Sequence, residues 1–197
     1  GADELLGGYN KHAAFHRIIN KGWQENLTGV LEPLWKSLPQ SRNSRWSNRF
    51  RQLSRFAEGM KLTSHDRYWQ WAGCAKEAQA LDLLSDQSKE KFQQADYIKR
   101  KQDLLKTIPV HESMREILLT DVNLVLPNDM LTKVDLMSMA HGLEVRVPFL
   151  DYRLVDFIFS LPDDYKITRS IRKRILQDAF RDVLPKELYN RPKKGFE

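Results

Sequence analysis

Three observations predict an all-α fold for this chain. Apolar residues recur at helical spacing along most of it. Pro and Gly punctuate those runs where helices would begin and end. No alternating run of strand length occurs, apart from a short arm around Val145 and Val147, and no internal repeat is present.

Taken in order, residues 1–9 read GADELLGGY, with Asp3 and Glu4 ahead of a short apolar pair and then Gly7 and Gly8. An acidic helix start with nothing before it reads as the middle of an element, so a preceding segment is expected. Residues 11–38 predict one or two helices. Phe15, Ile18, Ile19 and Trp23 share a face, Leu27 to Trp35 continue it, Pro33 marks a kink or restart, and Pro39 ends it. Residues 40–61 turn basic, with Arg42, Arg45, Arg49, Arg51 and Arg55 among Trp46, Phe50, Leu53 and Phe56. Such a stripe can bind nucleic acid. The aromatic spacing instead favours an amphipathic helix with aromatics inward and arginines in water.

Ser64 reads as the N-cap of a helix carrying Tyr68, Trp69 and Trp71, which Gly73 ends. Leu81, Leu83 and Leu84 form a short apolar patch. Residues 85–102 are polar and mixed in charge, an exposed helix or a connection. Residues 112–126 predict a helix that enters the central stretch. There, charges enter an apolar background: Asp129, Lys133, Asp135, Glu144, Arg146 and Asp151. Unpaired charge is costly to bury, so such charges pair or act on a ligand. Pro127 suits a helix start, Asp129 its first turn, and Lys133 lies one turn on. Leu131, Val134, Met137 and Met139 give apolar surface, and Met130, Met137 and Met139 read as core. Gly142 reads as a stop, residues 144–147 as an extended arm before Pro148, and Asp151 as N-cap of a helix over 152–160. Residues 165–170 read as a loop. Arg172, Lys173 and Arg174 open a further helix whose inner face is Ile175, Leu176, Ala179, Phe180 and Val183. Positive charge there opposes the helix dipole, which suggests an anionic partner or a tolerated cost.

A chain of 197 residues can bury a real core. No apolar stretch long enough for a membrane helix occurs, and no membrane association is expected. The single cysteine, Cys74, rules out an intrachain disulfide and suits a cytoplasmic setting. Cys74 reads as a small buried residue, with no histidine near it in sequence to activate it. The net charge of +6 is spread along the chain and mixed with acids. That favours a solvated surface and an anionic nucleotide substrate over a nucleic-acid partner. Glycine-rich phosphate loops of the common types, HExxH and GxSxG are absent. His12 and His16 are four apart but lack an evident third ligand, so a surface or packing role is expected of them. The constellation with chemical meaning is Asp3, Glu4, the charges from Asp129 to Asp151, and Lys193 with Lys194. Carboxylates suit Mg²⁺ where phosphates complete its shell. Cations stabilise charge developing at a phosphoryl or acyl centre.

GADELLGGY, LPNDMLTKVDLMSMAHGLEVRVPFLD and RPKKGFE resemble, in order, three segments of the synthetase domain of glutamine-hydrolysing asparagine synthetases. They cover about a quarter of the chain. The resemblance implies that residues 1–197 are a single domain unit, the helical C-terminal part of an α/β adenine nucleotide α hydrolase-like (PP-loop ATP pyrophosphatase) domain. The glutaminase domain and the nucleotide-binding sheet with its SGGxDS loop would then lie outside this sequence. Family chemistry implies that Mg²⁺ and ATP convert aspartate to an aspartyl-adenylate with release of pyrophosphate. Ammonia from glutamine then gives asparagine and AMP. By motif position, Asp3 is expected at Mg²⁺ and pyrophosphate, and Glu4, Gly7, Gly8 and Tyr9 at the nucleotide pocket. Asp129 is expected near the reacting carboxylate, and Glu144 and Arg146 on an arm bordering the site. Lys193 is expected on the charge that develops as ammonia attacks, with Lys194 beside it. Relatives differ at Lys133. A homodimer is one assembly such an enzyme adopts, and these residues alone are expected to be inactive.

Other branches of the same resemblance form different amides, among them β-lactam synthetases, lasso-peptide cyclases and amidotransferases of surface-polysaccharide pathways. The Trp- and Arg-rich block over 40–71 is either a branch mark or a divergent insert. A non-catalytic helical module that binds nucleic acid through Arg42 to Arg55 is the competing reading.

Overall fold

The computed structural model describes residues 1–20, 22–41, 44–73, 75–106, 108 and 113–189. Among them the chain is helical, as expected, with one isolated β-bridge between Ile167 and Arg172. The helices are α1 (Ala2–Leu5), α2 (Asn10–Ile19), α3 (Trp23–Val30), α4 (Glu32–Ser37), α5 (Arg45–Met60), α6 (Ser64–Ala72) and α7 (Glu77–Asp82). They continue with α8 (Asp86–Lys91), α9 (Gln94–Leu105), α10 (Met114–Asn123), α11 (Thr132–Met139), α12 (Tyr152–Ser160), α13 (Asp163–Lys166) and α14 (Arg174–Ala179).

Pro33 marks a restart, in the first turn of α4. The long pattern over 11–38 also breaks near Gly22, giving three helices where one or two were expected. Glu25 accepts the Gly22 amide and so caps α3. The cap of α6 is Thr63, one residue before the expected Ser64, and its hydroxyl accepts the Asp66 amide. Asp151 caps α12 as expected, accepting the Arg153 amide. Gly142 turns the chain at φ +64° just past α11. The 165–170 loop is shorter than expected, since α13 runs to Lys166. Asp163 and Asp164 occupy its first turn, where the dipole favours acids.

Pro127 does stand in the first turn of a helical element, as expected, but that element is a π-helical turn rather than an α-helix. α10 ends at Asn123 with Leu124 as its C-cap, and the π-helical turn follows over Leu126–Leu131 with Val125 as its N-cap. Proline has no N–H for the carbonyl four residues back, so the ladder is relaxed there.

Two apolar clusters hold the fold. The larger joins Phe15, Tyr68, Leu105, Met114, Ile117 and Leu118, from α2, α6, α9 and α10. The smaller joins Leu5 of α1 and the following Leu6 to Ile158 of α12, with Phe149, Leu150, Ile175 and Leu176 against them. Phe159 touches both. Each large apolar side chain so buried contributes about 1.5–3 kcal/mol.

Several expected core residues lie outside these clusters. Met137 and Met139 are 61% and 57% exposed, and Met130 is half-buried. Trp46 is 65% exposed at the start of α5, whose buried residues, Ser54, Ala57 and Gly59, all lie in its second half. In α14 only Ile175 and Leu176 pack inward, while Phe180 and Val183 follow the helix end and are exposed. Cys74 and Arg42 lie outside the described residues.

Candidate functional site

The site begins with the tight turn that links α1 to α2. Gly7 adopts φ +70°, and a Cβ there would press on Ile167 at 3.1 Å. A Cβ on Gly8 would land on the carboxylate of Asp3. Two glycines therefore let the chain fold back over Asp3, and the Gly8 amide donates to the Asp3 carbonyl at 2.8 Å. Tyr9 then caps α2 and donates its hydroxyl to buried Glu4 at 2.5 Å. Burial and that carboxylate push the Tyr9 phenol far up, so it remains a donor at any ordinary pH.

The start of α14 closes this turn from the other side. Lys173 takes a left-handed backbone, φ 54°, which is uncommon for a residue with a side chain. Its amide donates to the Leu6 carbonyl at 3.1 Å, and its Nζ lies 3.2 Å from the Asp3 carboxylate. Arg172 donates to the Gly8 carbonyl at 3.2 Å and to Asn10 Oδ1 at 2.6 Å. The basic cluster that opposed the helix dipole thus has partners within the chain: Asp3 and the polar atoms of the glycine turn. Motif reasoning assigned no site role to Lys173, although its unfavourable place at a helix start was the signal.

Beneath the turn lies a buried polar node. The Tyr9 amide donates to His12 Nδ1 at 3.3 Å, which leaves Nε2 to carry the proton donated to Asp121 at 2.7 Å. Lys11 Nζ reaches the other Asp121 oxygen at 2.7 Å, and the Tyr68 hydroxyl donates to that same oxygen. Burial holds His12 below the ordinary histidine range despite its carboxylate neighbour, and a second ring proton would face the Tyr9 N–H. Burial pushes the Asp121 carboxyl up, but His12 and Lys11 more than offset it, so it stays ionised. The node is a neutral His, one cation and one anion, all satisfied. It fixes α2 to α6 and α10 and so sets the position of the glycine turn. His12 thus has the packing role, one of the two expected of it.

The remaining motif residues lie elsewhere. Asp129 is exposed in the π turn and pairs with Lys133 at 3.6 Å. Glu144 and Arg146 pair with each other and are 69% and 86% exposed at the side chain. Their arm, residues 143–147, pairs in no sheet. The PFL turn that follows it packs on the first motif, since a Cβ on Gly1 would meet Leu150 and Phe149. The structure therefore brings Asp3, Glu4, Gly7, Gly8 and Tyr9 together, adds Arg172 and Lys173, and leaves Asp129, Glu144 and Arg146 as exposed pairs within their own segments. Lys193 and Lys194 lie outside the described residues.

Among the described residues no three His, Cys, Asp or Glu side chains converge to hold a metal. The donor set fits Mg²⁺ only in the form the sequence suggested, one carboxylate with phosphate and water oxygens completing the shell. No described helix is long and apolar enough to cross a membrane.

The family model described as asparagine synthase matches residues 1–197. A glutamine-hydrolysing asparagine synthetase of Mus musculus is 46% identical over 67 residues, 32% of this chain and 12% of that protein. Those of Bos taurus and Homo sapiens are each 40% identical over 86 residues, 42% of this chain and 14% of theirs. The chain thus aligns with about an eighth to a seventh of the length of these relatives. No solved structure matches. With the family match running from the first residue to the last, and two of its motif segments packed together around α1, the chain belongs to the asparagine synthase family.

Proposed function

We propose that this chain is the helical C-terminal part of an ATP-dependent amide ligase of the asparagine synthetase type, acting on aspartate with ammonia from glutamine. The observation that carries the reading is the glycine turn. Its two glycines fold the backbone over Asp3, and Arg172 and Lys173 flank it. A carboxylate beside two cations suits a site that handles Mg²⁺ and pyrophosphate together. Mg-ATP, when bound, supplies the leaving group that makes a carboxylate reactive towards ammonia.

In this reading Asp3 holds Mg²⁺, and Glu4, Gly7, Gly8 and Tyr9 shape the nucleotide pocket. The Tyr9–Glu4 bond fixes the turn, and the buried node holds α2 behind it. Asp129 borders the reacting carboxylate. Glu144 and Arg146 lie on the arm that borders the site, and Lys193 stabilises developing negative charge. The nucleotide-binding sheet and the glutaminase domain are supplied from outside these 197 residues. They would cover the exposed apolar side chains of 134–157, Leu136, Met137, Met139 and Leu143 among them.

The test is pyrophosphate release by the intact protein with ATP, aspartate and ammonia. Aspartate-dependent release that yields asparagine is the expected result. Lys193→Ala is expected to abolish asparagine formation while glutamine hydrolysis continues. ATP consumption with other carboxylates but not aspartate would move the protein to another amide-forming branch. No turnover with any carboxylate would overturn the ligase reading.

A further inference from the structure

An open cleft of about 730 Å³ lies between α2, α3, α5 and the turn at 168–172, on the side of α2 away from Asp121. Its walls carry Arg17, Arg49, Arg51, Arg55, Arg169 and Arg172, with Lys11 at the back. The acid in its lining is Glu25, already joined to Arg169 at 2.7 Å. Seven cations against one carboxylate is an excess of six among the described residues, as large as the net charge of the whole chain. Lys11 is neutralised from behind by Asp121. Among the described residues, Arg17, Arg49, Arg55 and Arg172 make no ion pair, and Arg17 and Arg49 are exposed.

These cations do not form a stripe along one helix. Arg17 comes from α2, Arg49 to Arg55 from α5, and Arg169 and Arg172 from the bridge turn, so guanidinium groups from three elements face one space. Like charges brought together across a concave surface repel unless an anion sits among them, and the concavity focuses their field. Guanidinium forks match phosphate oxygens in pairs. The volume is that of a small-ligand site. Singly charged carboxylates would leave most of the excess uncompensated, whereas phosphate groups bring up to two charges each in the same space. An extended nucleic-acid strand would call for cations along a continuous face instead.

We propose that this cleft binds a small molecule carrying two or more phosphate groups, at a site next to but distinct from the glycine turn. The assignment does not depend on the ligase reading. Arg172, which donates to the Gly8 carbonyl, supplies the wall between the two sites.

The test is calorimetric titration of inorganic tripolyphosphate into the intact protein without magnesium. Saturable binding is expected, weakening with added salt. The double variant Arg17→Gln with Arg49→Gln removes two exposed side chains and is expected to lower the affinity about tenfold or more without moving the Tm. Lys193→Ala, aimed at the ligase site, is expected to leave this binding intact. Unchanged affinity in the double variant would overturn the proposal. Loss of binding in Lys193→Ala with the double variant unaffected would do the same, by placing the anion at the ligase site. A short single-stranded oligonucleotide that binds more tightly, with the same dependence on the two arginines, would replace the small ligand with nucleic acid.

Discussion

Asp121 and Asp129 stand eight residues apart in one apolar stretch, and their surroundings are opposite. Asp121 is fully buried, and every partner it needs comes from within the chain: Lys11, His12 and Tyr68. Asp129 is exposed, with a single lysine one turn away, and the segment beyond it exposes Leu136, Met137, Met139 and Leu143. A charge amid apolar residues therefore has two outcomes. Where the fold brings tertiary partners from elsewhere in the chain, the charge becomes a structural lock. Where it does not, apolar and charged side chains alike remain open to whatever covers that face.

The contrast can be broken most severely at the lock. Asp121→Ala leaves Lys11, His12 and Tyr68 around an empty space and is expected to cost about 3–5 kcal/mol of unfolding free energy. Asp129→Ala is expected to stay within about 0.5 kcal/mol, as exposed pairs usually do. Chemical denaturation of the two variants compares them directly, and equal losses would erase the distinction.

Acid sharpens the same contrast. His12 and Asp121 both have folded-state pKa values below their ordinary ones. Both contributions are present above the unfolded values and are lost as pH falls. His12 acts first, below about 6.5, and Asp121 follows in the carboxylate range. Stability should therefore drop as pH falls from 7 towards 5, and His12→Gln should flatten that slope. A slope that is the same in both proteins would place the titrating group elsewhere.

A smaller effect is expected at Lys166, which is buried beside Phe159 with Asp163 3.7 Å away. Burial holds its pKa below the ordinary lysine value, with Asp163 opposing only in part. The unfolded chain then binds the proton more readily, so stability rises with pH through the alkaline range up to about 10.5. Lys166→Met is expected to stabilise by about 1–2 kcal/mol at neutral pH and to remove that rise. Destabilisation would show that the ammonium contributes to the fold.

Much of this was legible beforehand, and the gaps have physical causes. Helix class, the Pro33 restart, the Asp151 cap and the Gly142 turn follow from local chemistry, which sequence shows. The exposure of Met137 and Met139 does not, because periodicity tells that a face is apolar and says nothing of what covers it. Pro127 marks the helical start correctly, but nothing local shows that the turn it enters is π-helical rather than α-helical. In the site, the glycine motif marked Asp3, Glu4 and Tyr9, which the fold does place together. Lys173 and Asp121 went unassigned because their partners lie 53 or more residues away along the chain. The arginine cleft was hidden for the same reason, since its three contributing elements look like solvated surface when read separately.

Arg146 offers the most direct measurement of whether the exposed segment serves chemistry rather than stability. Pyrophosphate release with ATP, aspartate and ammonia should be compared between the intact protein and its Arg146→Ala variant, with the Tm of each recorded. The expected result is a fall in release of about a hundredfold at an unchanged Tm. Release at the unaltered rate, or a loss of activity that merely follows a fall in Tm, would contradict the role given to this arm.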